Sequence, residues 1–186
     1  MPSRSWWRWM TAGLLVVVTS VGAASWLRGR ERERAHAEGL RIAGEAAALG
    51  RQGRAAGSAG RRAEAADLLN RAVRLLRGAR GVSGDPFAAL LVDLASLRLS
   101  QDPRDEALRS SARALLAEAR RVPDLTSSLR ARIDRDLGSL CLLDGELQAA
   151  EAWYAEAQRL DPGDARSRDR LALLRSTRPP EPTRNL

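Results

Sequence analysis

From Ala35 onward, apolar residues recur three and four positions apart, and short polar breaks interrupt them. That pattern predicts helices at about 30–58, 62–78, 86–100, 104–121, 126–143, 147–160 and 165–176. The breaks carry start and stop chemistry. Asp85-Pro86 sets a cap ahead of a proline suited to the first helical position. Asp102-Pro103 repeats the device, with Asp105 and Glu106 in the first turn, where acids favour the helix dipole. Asp144-Gly145 breaks one helix before the next, Asp161-Pro162-Gly163 ends another, and Asp164 is placed to cap the last. Arg178-Pro179-Pro180-Glu181-Pro182 cannot continue a helix, so 177–186 is expected to be a disordered tail.

The N-terminal pattern differs. Met1 to Trp9 is short and basic, and Met10 to Leu27 then runs 18 residues without a charge. That is near the lower length for a membrane-spanning helix. Trp6, Trp7 and Trp9 stand at one end, Trp26 at the other, with Arg28 and Arg30 just beyond; tryptophan favours both membrane–water interfaces. The expectation is an uncleaved anchor over 1–27. A cleaved signal peptide is the competing reading, since Val21-Gly22-Ala23 and Gly22-Ala23-Ala24 offer small residues at suitable positions. Against cleavage, Arg28, Arg30, Arg32 and Arg34 follow at once, and positive charge there resists translocation. Two basic residues on the N side against five on the C side favour a cytoplasmic C-terminal part. Glu31 and Glu33 alternate with those arginines and leave export open.

Composition narrows the fold. Ala (33), Leu (29) and Arg (31) make up half of the 186 residues, there is no Lys, and Val and Ile number ten. Strong helix formers at that level favour long helices or helical arrays over sheets. The net charge of +8 first suggests nucleic acid or anionic membrane. Mapped along the chain, it sits in 28–80, with 13 Arg against 6 acids, while 81–186 is nearly balanced. The basic region contains no aromatic residue, which weighs against single-stranded nucleic acid. Contact of 28–62 with anionic lipid fits better, at about 1 kcal/mol per close Arg. Elsewhere the arginines read as solvated helix faces carrying i,i+4 pairs.

The stretch from Ala131 to Asp164 is the most patterned. Gly138 lies mid-helix, where it lets a neighbouring helix approach. Ala150 follows twelve residues on, Tyr154 four later and Ala157 three after that, sharing one face of the next helix; Pro162 then stops it. Leu137, Gly138, Ala150, Tyr154, Ala157 and Pro162 together resemble a tetratricopeptide repeat. The chain departs from that family's pattern at Asp134, where the family has Trp, and at Cys141, where it has Tyr. Gly53, Gly60, Ala65, Leu69 and Ala72 follow similar spacing, and Ala112, Leu116, Ala119 and Pro123 echo it after a longer loop. Generic helical hairpins remain the alternative for those two.

The resemblance implies an all-α fold. Antiparallel helix pairs would stack as a short α-solenoid over 46–176, after a basic juxtamembrane helix or linker at 28–45 and one anchor helix. Helix 165–176, with Leu171, Leu173 and Leu174 on one side, would cap the last pair. In this family the first helix of each pair lines a concave, peptide-receiving groove. On the best-matched unit that face would carry Arg132, Arg135, Ser139 and Leu142, the arginines suited to a carboxylate. The alternative is that they merely solvate the helix or pair with Asp134 and Asp136. Trp153 is read as seam or core.

No catalytic constellation is visible. The single His36 is far in sequence from the single Cys141, which reads as a buried thiol, and no phosphate loop or secluded carboxylate pair is present. Neither an enzyme nor a cofactor is expected. The functional expectation is a single-pass, membrane-anchored adaptor or scaffold for protein partners, at a bacterial inner membrane. The alternatives are an exported envelope-assembly module after signal cleavage, and a lipid- or nucleic-acid-binding role for 28–80.

Overall fold

The computed structural model describes residues 4–79 and 84–177; within the first helix, side chains are described for Trp26 and from Gly29 onward. Seven helices are present, and no strand occurs among the described residues: α1 Arg4–Ser58, α2 Arg62–Gly78, α3 Asp85–Gln101, α4 Glu106–Arg120, α5 Ser127–Leu143, α6 Leu147–Leu160 and α7 Ala165–Thr177. The chain divides into two units, Met1–Arg41 and Ile42–Leu186.

In the first unit, Trp26 is exposed and the Arg30 guanidinium lies over its ring, 4.6 Å from the centroid. Glu38 accepts from Arg41 one turn on, which holds the Glu38 carboxyl below its ordinary range. Among the described residues no helix is long and apolar enough to cross a membrane. The side chains of residues 10–25 and Leu27, of Trp6, Trp7 and Trp9, and of Arg28 lie outside the described residues.

In the second unit, each helix from α2 to α7 packs on its neighbour in sequence, Gly53 of α1 lies against Leu69 of α2, and α3 also touches α5. That next-but-one contact is expected when helix pairs stack with their first helices side by side. Packed adjacent pairs of this kind are the architecture of a helical repeat. Ile42, the first residue of the second unit, packs against its core.

The α1–α2 and α5–α6 turns are built alike. Gly60 and Gly145 have φ of 77° and 78°, a left-handed conformation that side chains resist. Each ends its helix with the same pair of backbone bonds. Arg61 N donates to Ala56 O and Gly60 N to Gly57 O; Glu146 N donates to Cys141 O and Gly145 N to Leu142 O. A Cβ on Gly53 would lie 2.8 Å from Leu69 Cγ, and one on Gly138 would lie 3.2 Å from the Tyr154 ring. Small residues thus set both helix crossings.

The middle turn differs, and two expected caps move. Asp105, not Asp102, caps α4, its Oδ1 accepting from the amides of Ala107 (2.8 Å) and Leu108 (3.3 Å). Asp102 accepts from Arg104 N instead, closing the Pro103 turn. Asp85 is the first residue of α3, after Gly84 at the cap. Its carboxylate accepts from Thr126 N at 3.0 Å and so ties the start of α3 to the start of α5. The expected Asp164 cap forms, accepting from Arg166 N and the Ser167 hydroxyl.

Ala65, Leu69 and Ala72, Ala112, Leu116 and Ala119, and Ala150, Tyr154 and Ala157 are all buried. Most of the core is one continuous cluster from Ala46 to Leu140; Cys141, Ala150, Tyr154 and Leu171 form a second, and Trp153 packs against both. The Cys141 thiol is buried as expected, and burial pushes it up from its ordinary range. On α7, Leu171 is buried and Leu174 half-buried, but Leu173 is exposed. The inward face is Ser167, Leu171 and Leu174, at four- and three-residue spacing, and Leu173 falls off it.

Candidate functional site

The first helices of successive pairs are joined by charge. Asp93 of α3 accepts from Arg54 of α1 at 2.8 Å and from Arg132 of α5 at 2.7 Å. Farther along, Asp164 accepts from Arg135 of α5 at 2.9 Å, and the Ser96 hydroxyl of α3 lies 3.4 Å from the Asp136 carboxylate of α5. The second helices have their own pairs: Arg77 of α2 bonds Glu118 of α4, and Arg113 and Arg109 of α4 bond Asp144 at the α5–α6 turn. The arginines read as solvated faces with pairs along one helix therefore serve, in these cases, between helices. The guanidinium fork reaches a carboxylate on the next pair where a shorter side chain would not.

These pairs shift the acids in opposite directions. Burial opposes ionisation of Asp164, but the Ser167 hydroxyl and the Arg135 guanidinium outweigh it and hold the carboxyl below its ordinary range. Burial pushes Asp136 up, against Arg135 and Arg132. Asp134 is also pushed up by burial. It is 1% exposed, within reach of Arg120, whose Nε donates to it at 3.0 Å.

An open groove of about 610 Å³ lies along the start of α3 and the first half of α5. Asp85, Pro86 and Ala89 line one wall. Leu129, Arg132 and Arg135 line the other, and Thr126 and Ser128 close the end. Of the four residues expected on the receiving face, Arg132 and Arg135 reach the groove. Ser139 turns to α6, its hydroxyl 3.0 Å from the Tyr154 phenol oxygen, and Leu142 packs into the second cluster. Neither arginine pairs as the alternative had it with Asp134. Arg132 holds Asp93, and Arg135 holds Asp164 with Asp136 at 3.6 Å. Each guanidinium has five N–H donors, so both keep donors for a ligand, but an incoming carboxylate competes with an internal one.

The α3 wall was not anticipated, because Asp85-Pro86 reads as a helix start and nothing in the local pattern says what that start faces. Ser128 and Leu129 were within reach of inspection. They lie four and three residues before Arg132, on the same stripe, toward the N-terminus of α5.

Of the patterned residues, Gly138 faces the Tyr154 ring, Leu137, Ala150 and Ala157 are buried, and α6 ends at Leu160 ahead of Pro162. Among the described residues no group of three or more His, Cys, Asp or Glu is placed to hold a metal ion. No family model and no curated protein matches the chain.

Proposed function

We propose that this chain is a membrane-anchored, tetratricopeptide-like adaptor, and that the groove between α3 and α5 receives a segment of a partner protein. The supporting observation is the groove. It runs over the first helices of two successive pairs, with Leu129, Pro86 and Ala89 offering apolar contact and Arg132, Arg135 and Asp85 offering charge of both signs. Mixed charge over an apolar floor selects a peptide carrying an apolar anchor beside polar groups, in place of a purely acidic tail. The exposed Trp26 under Arg30 suits an interfacial position at the end of the apolar 10–27 stretch.

A photo-crosslinking residue at Ala89 in the full-length chain, expressed in its own host, tests the groove. The expected result is a discrete adduct that is absent when the same residue replaces exposed Gln148, and that Arg132→Glu abolishes. Equal adducts from both positions would overturn the groove. Resistance of the full chain to alkaline extraction from membranes tests the anchor, and a reporter fused after Leu186 reads its orientation.

A further inference from the structure

A second recess, of about 340 Å³, opens between α4, α5 and α6. Its floor is apolar: Leu137 and Cys141 from α5, Ala117 from α4 and the Trp153 ring from α6. Its rim is basic: Arg113, Arg120 and Arg121, from α4 and its C-terminal cap. The volume sits at the lower end of the roughly 300–1,000 Å³ range of small-ligand clefts.

The three arginines are held differently. Arg113 is bound to Asp144, with Glu146 at 3.8 Å. Arg120 uses its Nε on Asp134 and its guanidinium carbon lies over Trp153, 4.7 Å from the ring centroid, so its terminal N–H groups remain to donate. Arg121 is exposed, and among the described residues no carboxylate pairs with it. Donors at the mouth and an apolar, partly aromatic floor below call for a ligand with the same division.

We propose that this recess binds a small carboxylate with an aromatic or branched apolar tail. The tail lies over Leu137, Cys141 and Trp153, and the carboxylate meets Arg121 and the free edge of Arg120. A bare inorganic anion leaves the floor unfilled, and a neutral apolar molecule leaves the guanidinium donors unmet. Because the lining comes from α4 on one side and α5 and α6 on the other, an occupant joins the second helix pair to the third. The site is separate from the α3–α5 groove and does not rest on the adaptor reading.

Cys141 is the only cysteine in the chain, so its alkylation reports on this recess alone. The full-length protein is treated with N-ethylmaleimide in the presence of phenylacetate, phenylacetamide or acetate, and adduct formation is followed by mass. Phenylacetate is expected to slow alkylation saturably, and to act at roughly tenfold lower concentration than phenylacetamide, the preference of a charge-assisted pair over a neutral one. Acetate is expected to have no effect at the same concentrations. Arg121→Gln should remove most of the preference for the acid, and Ala117→Phe, which fills the recess, should remove protection. The melting temperature should rise with phenylacetate in the same order of ligands and variants. Absence of both protection and a melting shift, equal action of acid and amide, or undiminished protection in folded Ala117→Phe would overturn the proposal. If Ala117→Phe does not fold, Arg121→Gln decides.

Discussion

The first hairpin, formed by the end of α1 with α2, and the last, α5 with α6, are 85 residues apart and built alike. Gly53 corresponds to Gly138, Gly60 to Gly145, Ala65 to Ala150, Leu69 to Tyr154 and Ala72 to Ala157. In both, a three-residue turn closes on a left-handed glycine, and a second glycine admits a large side chain from the facing helix. The middle hairpin, α3 with α4, reaches the same burial of Ala112, Leu116 and Ala119 by another route, a four-residue Asp-Pro turn and a side-chain cap. A shared packing layer therefore does not require a shared turn. What the three hairpins have in common is the small–large–small face of the second helix; the turn only has to deliver it.

The largest test of this comparison is to remove the large residue from each outer hairpin. Tyr154→Ala is expected to cost roughly 3–5 kcal/mol and Leu69→Ala roughly 2–5 kcal/mol in denaturant unfolding. Tyr154 should stand at the top, since it also loses the bond to Ser139. Comparable losses would show that the two crossings are equivalent in energy as well as in register. Next come the turns. Gly60→Ala and Gly145→Ala each force a side chain into the left-handed region and should each cost about 1–2 kcal/mol. Unequal costs would break the equivalence.

The middle hairpin has its own weak point. Asp105→Ala removes the cap on α4 and should cost about 1 kcal/mol, with Asp105→Asn nearly neutral. A smaller effect of the opposite sign is expected at Gly44. It is helical and exposed, with nothing within 4 Å of an added Cβ, so Gly44→Ala should stabilise by roughly 0.5–1 kcal/mol.

The last hairpin and the α7 cap beside it should also show two pH dependences of opposite sign. Asp164 titrates below the ordinary value of 3.8 in the fold, so its contribution is present above 3.8 and is lost as pH falls through its folded range. The deficit of Asp164→Asn relative to the natural chain should therefore shrink on acidification. Asp134 titrates above 3.8, so the folded chain binds its proton more readily than the unfolded chain does. Stability falls as pH rises from 3.8 through that raised range. Asp134→Asn should gain on the natural chain over that interval. Melting curves at several pH values check both signs.

Helices α2 to α7 and most of their boundaries were legible because periodicity and turn chemistry are local; the break expected between the anchor and a helix starting at about 30 is absent, and α1 instead runs unbroken from Arg4 to Ser58. The face holding Ala150, Tyr154 and Ala157 could be read for the same reason, since its spacing lies within one helix. The groove was half legible. Arg132 and Arg135 could be placed on an exposed stripe, but Ser139 could not be known to turn toward Tyr154, which lies 15 residues away across the hairpin. Asp85 has the local pattern of a cap, but its partner, the Thr126 amide, is 41 residues distant and leaves no local signal.

The sequence by itself determined that this protein is helical, where its turns fall and which small residues mark the crossings, because backbone propensity and side-chain spacing act over a few residues. Only the tertiary structure decided what the arginines do. A guanidinium looks the same in sequence whether it is solvated, holds Asp93 from two helices, or lies over Trp153 above an apolar recess. The difference is set by which carboxylate or ring the stacking of distant helices brings within about 3–5 Å, where charge and ring contacts act.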